Sequence, residues 1–215
     1  MTIQVSGQVG PVVVSDGTTA NGLRQAKSGE LMVSEVQARY YEQNYRGNLF
    51  SLSVATAAAI TAYTGGAAGT PQIALWNPSG SNRNAIIISA NYANVVAASG
   101  AGTATWGLYY GPTAAITQST KTTPVQGSTL TAGGSVMTGF TNVALTGSTA
   151  LTNVMPLGAY YWATAASAAV VSSVAPAFID GMILIPPGSM VALGGSAALT
   201  SATWIGSLVW IETPI

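Results

Sequence analysis

Short apolar runs recur from about residue 49 to the end of the chain, broken by Gly, Ser, Thr, Asn and Pro. The last run is the most regular. Thr203-Trp-Ile-Gly-Ser-Leu-Val-Trp-Ile-Glu212 puts Trp204, Gly206, Leu208 and Trp210 on one side of an extended strand, and Ile205, Ser207, Val209 and Ile211 on the other. Successive side chains of a strand point to opposite faces. Both faces are apolar or small, which predicts a strand inside a packed sheet. Upstream, two apolar runs flank Pro186-Pro187-Gly188-Ser189. Proline presets φ for a turn and glycine supplies φ > 0.

The same reading gives strands at 49–55, 72–76, 85–92, 103–110, 136–145, 151–162, 168–175 and 178–185. Asn77-Pro78-Ser79-Gly80-Ser81 separates two of them as a turn,. About ten short strands at this spacing predict an all-β fold, a β-sandwich or jelly roll. Ala-rich pieces at 55–59 and 163–169 are alternatives for short helical turns, because Ala favours helix. Three similar snippets begin at Gly127, Gly147 and Gly195. Their unequal spacing rules out a repeat period, and they read as turns leading into strands.

Charge changes the picture of the first 46 residues. Asp16, Arg24, Lys27, Glu30, Glu35, Arg39, Glu42 and Arg46 are eight of the twelve charged residues, and 122–179 holds none. This break near Gly47 divides the chain into an extended N-terminal arm, 1–46, and a sandwich domain, 47–215. Within the arm, 1–29 reads as strand fragments and turns. Residues 30–46 favour one short helix, with Glu35–Arg39 and Glu42–Arg46 as i,i+4 pairs,. Tyr40, Tyr41 and Tyr45, beside Arg39 and Arg46, form the densest aromatic group in the chain. They either pack on the domain or anchor a partner interface, where Tyr and Arg are enriched.

Composition excludes several functions. Charged residues are 6% of the chain and net charge is zero, against about 25% charged in ordinary domains. So neutral a surface favours association. Six Lys+Arg balanced by six Asp+Glu leave no basic footprint for nucleic acid,. The start lacks a positive region followed by an apolar run, so no secretory signal is expected. The stretch 157–179 is Ala/Ser/Thr-rich with Pro176, and short strands are expected there instead of a membrane span,.

No His and no Cys are present. Histidine-based acid/base catalysis, thiolate chemistry and zinc–cysteine sites are excluded. The glycines at 17 and 22 have phosphate-loop spacing but lead into Leu23-Arg24,. Acids are too sparse for a calcium loop. Asp180 and Glu212 are the only carboxylates of the strand region, and a glycosidase would need such a pair brought close,. The five Trp, all after the boundary, are core candidates, with a sugar platform as the alternative. No enzyme, cofactor or metal site is expected; a structural or binding protein is.

A resemblance adds a role. Gly29-Glu-Leu-Met-Val-Ser-Glu35, Tyr40-Tyr-Glu42, Arg46-Gly-Asn-Leu-Phe50 and Leu75-Trp-Asn-Pro-Ser-Gly-Ser81 with Asn84-Ala-Ile-Ile-Ile88 resemble a group of tailed-bacteriophage virion proteins encoded beside the capsid genes. The likeness covers residues 22–110. The ending, Pro187-Gly-Ser189, Trp204 and Val209-Trp-Ile-Glu212, resembles the last strands of jelly-roll modules that trimerise on virion surfaces. The resemblance implies a capsid decoration or cement protein at the virion surface. Its partners would be its own copies, as a homotrimer, and the major capsid protein or other virion proteins. Alternatives are a receptor- or glycan-binding tip of a tail or fibre, and a head–neck or tail ring component.

Overall fold

Successive strands cannot all pair with their sequence neighbours here, because the apolar faces need two sheets to bury them. In the computed structural model, residues 7–8, 23–24, 39–54, 56–96, 102–162, 177–196 and 199–215 are described. The chain divides into two compact units, Met1–Tyr41 and Glu42–Ile215. In the first, β1 (Gly7–Gln8) pairs in parallel with β2 (Leu23–Arg24). Expectations for 30–38 and 163–176, including the Glu35 pair and the strand at 168–175, lie outside the described residues.

A five-residue helix, α1 (Tyr41–Tyr45), precedes the remaining strands. These are β3 (Leu49–Ser53), β4 (Ala58–Ile60), β5 (Ile73–Asn77), β6 (Arg83–Val96), β7 (Gly102–Pro112), β8 (Val125–Gln126), β9 (Thr138–Thr141), β10 (Asn153–Trp162), β11 (Ala177–Ile185), β12 (Ser189–Gly195) and β13 (Leu199–Pro214). One sheet has the order β11-β6-β13-β3-β8, with β4 also against β13; the other has β10-β7-β12-β5-β9. Every ladder in these two sheets is antiparallel.

The pairing is nested. β7 pairs β10, β6 pairs β11, β5 pairs β12 and β3 pairs β13. Strands before the 113–152 connection therefore meet strands after it in reverse order. The result is one long antiparallel ribbon, wrapped so that alternate pairs enter opposite sheets. The ladders β6·β13 and β7·β12 then join the pairs within each sheet. This is a jelly roll, a sandwich of two packed sheets.

The core between the sheets is aromatic. Trp106 stacks on Tyr92 at 4.7 Å and 18°, and meets Trp204 at 5.1 Å and 54°. Phe50 stacks on Trp210 at 6.1 Å. Trp204, Gly206, Leu208 and Trp210 all face inward and are buried. On the opposite face of β13, Ile205, Ser207 and Val209 are only half-buried. The strand covered on both sides is β12 of the other sheet, buried at every residue.

A third layer explains β12. Tyr63, Ile116, Phe140, Leu145 and Leu151 pack with Ala74, Met190 and Ala192 on the outer side of the β12–β5 sheet. Loop residues from 113–152 thus cover a sheet face that would otherwise be wet. Tyr63 fits because position 194 is glycine: a Cβ there would stand 2.7 Å from the Tyr63 ring. Burial, and secondarily Tyr109, pushes the Tyr63 hydroxyl up to about 12, so it stays un-ionised at neutral pH,.

Two neighbouring turns close one end of the sandwich. Gly188 takes φ +76°, as the Pro-Pro-Gly-Ser sequence requires, and its N–H donates to the Asn77 carbonyl at 2.8 Å. The buried Asn77 side chain donates to the carbonyls of Arg83 and Ile185 at 2.8 and 2.9 Å, joining both turns. The helical alternative at 55–59 gives way to β4, whose Ala58 lies opposite Trp204. A strand partner there extends the β13 ladder, which outweighs the small intrinsic preference of Ala for helix. Among the described residues no helix is long and apolar enough to cross a membrane.

Candidate partner interface

Five residues are too few for a helix to persist unaided, so α1 is held by the segment that leads into β3. The N–H groups of Arg46, Gly47 and Asn48 donate to the carbonyls of Glu42, Asn44 and Gln43 at 3.0, 2.9 and 2.9 Å. Gly47 takes φ +73° and ends the helix, the usual place for a left-handed glycine. Its carbonyl then accepts from the Gln126 amide at 2.7 Å. The Gly127 N–H donates to the Leu49 carbonyl at 2.8 Å. The end of α1 and the turn after β8 are therefore tied into one corner of the jelly roll.

That turn is tight. The Gln126 N–H donates to the Thr131 carbonyl and the Leu130 N–H to the Gln126 carbonyl, both at 2.9 Å. The Thr129 hydroxyl donates to the Gln126 side-chain oxygen at 3.0 Å and lies 2.7 Å from the Thr131 hydroxyl. At the tip, Leu130 has φ +56° and is 82% exposed. A left-handed leucine costs on the order of 1 kcal/mol. It gains nothing from burial in return.

Tyr45, 74% exposed, stands on the helix side of the same corner. Arg46 Nε donates to Glu42 Oε1 at 2.6 Å, the i,i+4 pair expected from sequence. Both side chains are exposed, so the pair contributes little to stability and mainly orients the guanidinium. Arg39, Tyr40 and Tyr41 fall in the first unit. There the Arg39 guanidinium lies 5.8 Å from the centre of the Tyr40 ring, within cation–π range. Tyr41 is exposed and Tyr40 half-buried. Of the five residues singled out from sequence, the jelly-roll unit thus carries Tyr45 and Arg46. Leu130 is not among the five; a lone large apolar residue in the Gly127-Ser-Thr-Leu-Thr131 turn is the signal that points to it.

The two carboxylates do not make a site together. Asp180 is exposed in an irregular part of β11, between Phe178 and Ile183. Glu212 is fully buried on β13, and β6 runs between the two strands. Glu212 accepts from the Ser135 hydroxyl at 2.5 Å, the Trp210 indole at 3.3 Å and the Val136 N–H at 3.3 Å. It fastens the segment before β9 to the end of β13. Among the described residues no group of three or more His, Cys, Asp or Glu comes together. Trp106, Trp204 and Trp210 are core residues, and Trp76 packs against the third layer. None of these four makes an open sugar platform.

No family model, no curated protein and no solved structure matches this chain.

Proposed function

We propose that this chain is a non-enzymatic virion structural protein, a decoration or cement protein on the head of a tailed bacteriophage. The observation that carries the reading is the corner at Tyr45 and Leu130. Large apolar side chains are held exposed there, on backbone fixed by hydrogen bonds. Such an arrangement lowers the entropy lost on binding. The resemblance of residues 22–110 to phage virion proteins supports the same reading, as does the scarcity of charge. A cement protein works by contact area repeated with the symmetry of the shell. It requires surfaces, not reactive groups. On this reading copies associate as a homotrimer and bridge units of the major capsid protein.

Co-sedimentation of the full chain with phage heads that lack it tests the proposal. Wild-type protein is expected to pellet with the heads. Tyr45→Ala with Leu130→Ser is expected to weaken binding roughly tenfold or more, as for interface anchors, without changing the melting temperature. Binding to tails, fibres or host glycans in place of heads would support a tip or ring component. Undiminished head binding by the variant would move the interface elsewhere.

A further inference from the structure

Asp180 and Gly181 stand where β11 is least regular. The register with β6 runs through Phe178–Ser89 and resumes at Ile183–Ile87, so residues 179–182 stand against Ile88 alone. Within that bulge Asp180 takes φ +54° and Gly181 φ +87°. Ile179 and Ile183 are buried in the core and pin its two ends. Asp180 and Met182, between them, are exposed. β11 ends its sheet order, with β6 as its ladder partner. The extra residues of a bulge fall outside the regular ladder. Exposed edge segments of this kind open locally, without unfolding of the core.

Aspartate followed by glycine has a reaction of its own. The glycine nitrogen can attack the aspartyl side-chain carboxyl carbon, because no side chain on the glycine shields it. A regular ladder holds the peptide extended and keeps the two atoms apart. A bulge released from its neighbour does not.

We propose that Asp180 converts to isoaspartate in the folded protein by this route. The Gly181 nitrogen bonds to Asp180 Cγ. The amide proton and the hydroxyl of the protonated carboxyl leave together as water, and a five-membered succinimide closes. Water then adds to one of the two ring carbonyls and opens the ring. Opening at Cγ restores aspartate. Opening at the original peptide carbonyl leaves the chain running through Cγ, which is isoaspartate. One water leaves and one returns, so solvent is the only co-reactant. The product carries the same charge and one more backbone methylene, placed between two core anchors that need not move. This chemistry does not rest on the virion reading.

The rate in the folded chain separates local from global opening. Were the site freed only by unfolding of the whole domain, reaction would be slower than in the unfolded chain by about a thousandfold or more. A bulge that opens by itself is expected to react within about tenfold of the unfolded rate. Purified full chain is kept for weeks at neutral pH and physiological temperature, beside the same chain unfolded in guanidinium. Peptide mapping with isoaspartyl methyltransferase labelling then reads the product at position 180. Asp180→Glu keeps the charge and is expected to abolish labelling there, because a six-membered ring closes far more slowly, with circular dichroism unchanged. A folded rate more than about tenfold below the unfolded one overturns the proposal, since the bulge would then be held as firmly as the sheet. So does an absence of isoaspartate at 180 in both samples.

Discussion

Trp106→Ala is expected to lower the unfolding free energy by about 3–5 kcal/mol, the usual cost of emptying a large buried aromatic site. Trp106 is the middle ring of the Tyr92–Trp106–Trp204 group, 1% exposed, and touches both neighbours. Its removal takes away one ring and two ring contacts, each worth about 0.5–1.5 kcal/mol beyond area. The surrounding strands belong to both sheets, so the gap cannot close by moving one element. Domains are stable by about 5–15 kcal/mol, and the variant would retain only part of that. Urea unfolding followed by circular dichroism checks it. A loss under about 1 kcal/mol would mean that the sheets repack and that this stack does not hold them together.

Glu212→Ala is expected to cost about 2–4 kcal/mol for a different reason. The wild-type carboxylate is 0% exposed and takes three donors, from Ser135, Val136 and Trp210. Alanine leaves those donors without their acceptor; the Trp210 indole is buried and the other two bonds are part-buried, so the orphaned groups are costly,. Glu212→Gln keeps the size and one acceptor oxygen but turns an N–H₂ toward a former donor, so a smaller loss is expected. Thermal unfolding of both variants separates the effects. Protection of the Val136 amide from hydrogen exchange should fall in Glu212→Ala before global unfolding. Equal stability of wild type and Glu212→Ala would contradict the latch.

The core face of β13 and the Tyr45 corner differ in how readily the sequence shows them. Alternation at Trp204, Gly206, Leu208 and Trp210 marks a core face directly, and the structure buries all four. Pro-Pro-Gly-Ser marks a turn, because only glycine takes φ +76° there at no steric cost,. The opposite face of β13 misleads. Ile205, Val209 and Ile211 look like core, yet two of the three are half-buried on an outer face. Periodicity assigns sides to a strand but not what covers them. Likewise β12 is wrapped on both sides only because the 113–152 segment folds back over it.

Long-range partners are hidden for the same reason. Glu212 finds Ser135, 77 positions away, through the nested ribbon, whose pairing order leaves no local trace. Asp180 and Gly181 take positive φ values, which make a bulge within β11 that no local pattern announces. Leu130 reads as an ordinary residue of a turn leading into a strand. Its exposure becomes visible only when Gln126 ties the turn to the end of α1.

On the proposed reading, this jelly roll is a surface part of a phage particle, held by the corner at Tyr45 and Leu130. On that proposal, imaging of native phage particles is the most direct test. The expected result is a two-sheet density on the outside of the head, seated across neighbouring capsid subunits, with the α1 corner and the 126–131 turn facing the shell. Density confined to the tail or neck, or that corner pointing into solvent, would contradict it.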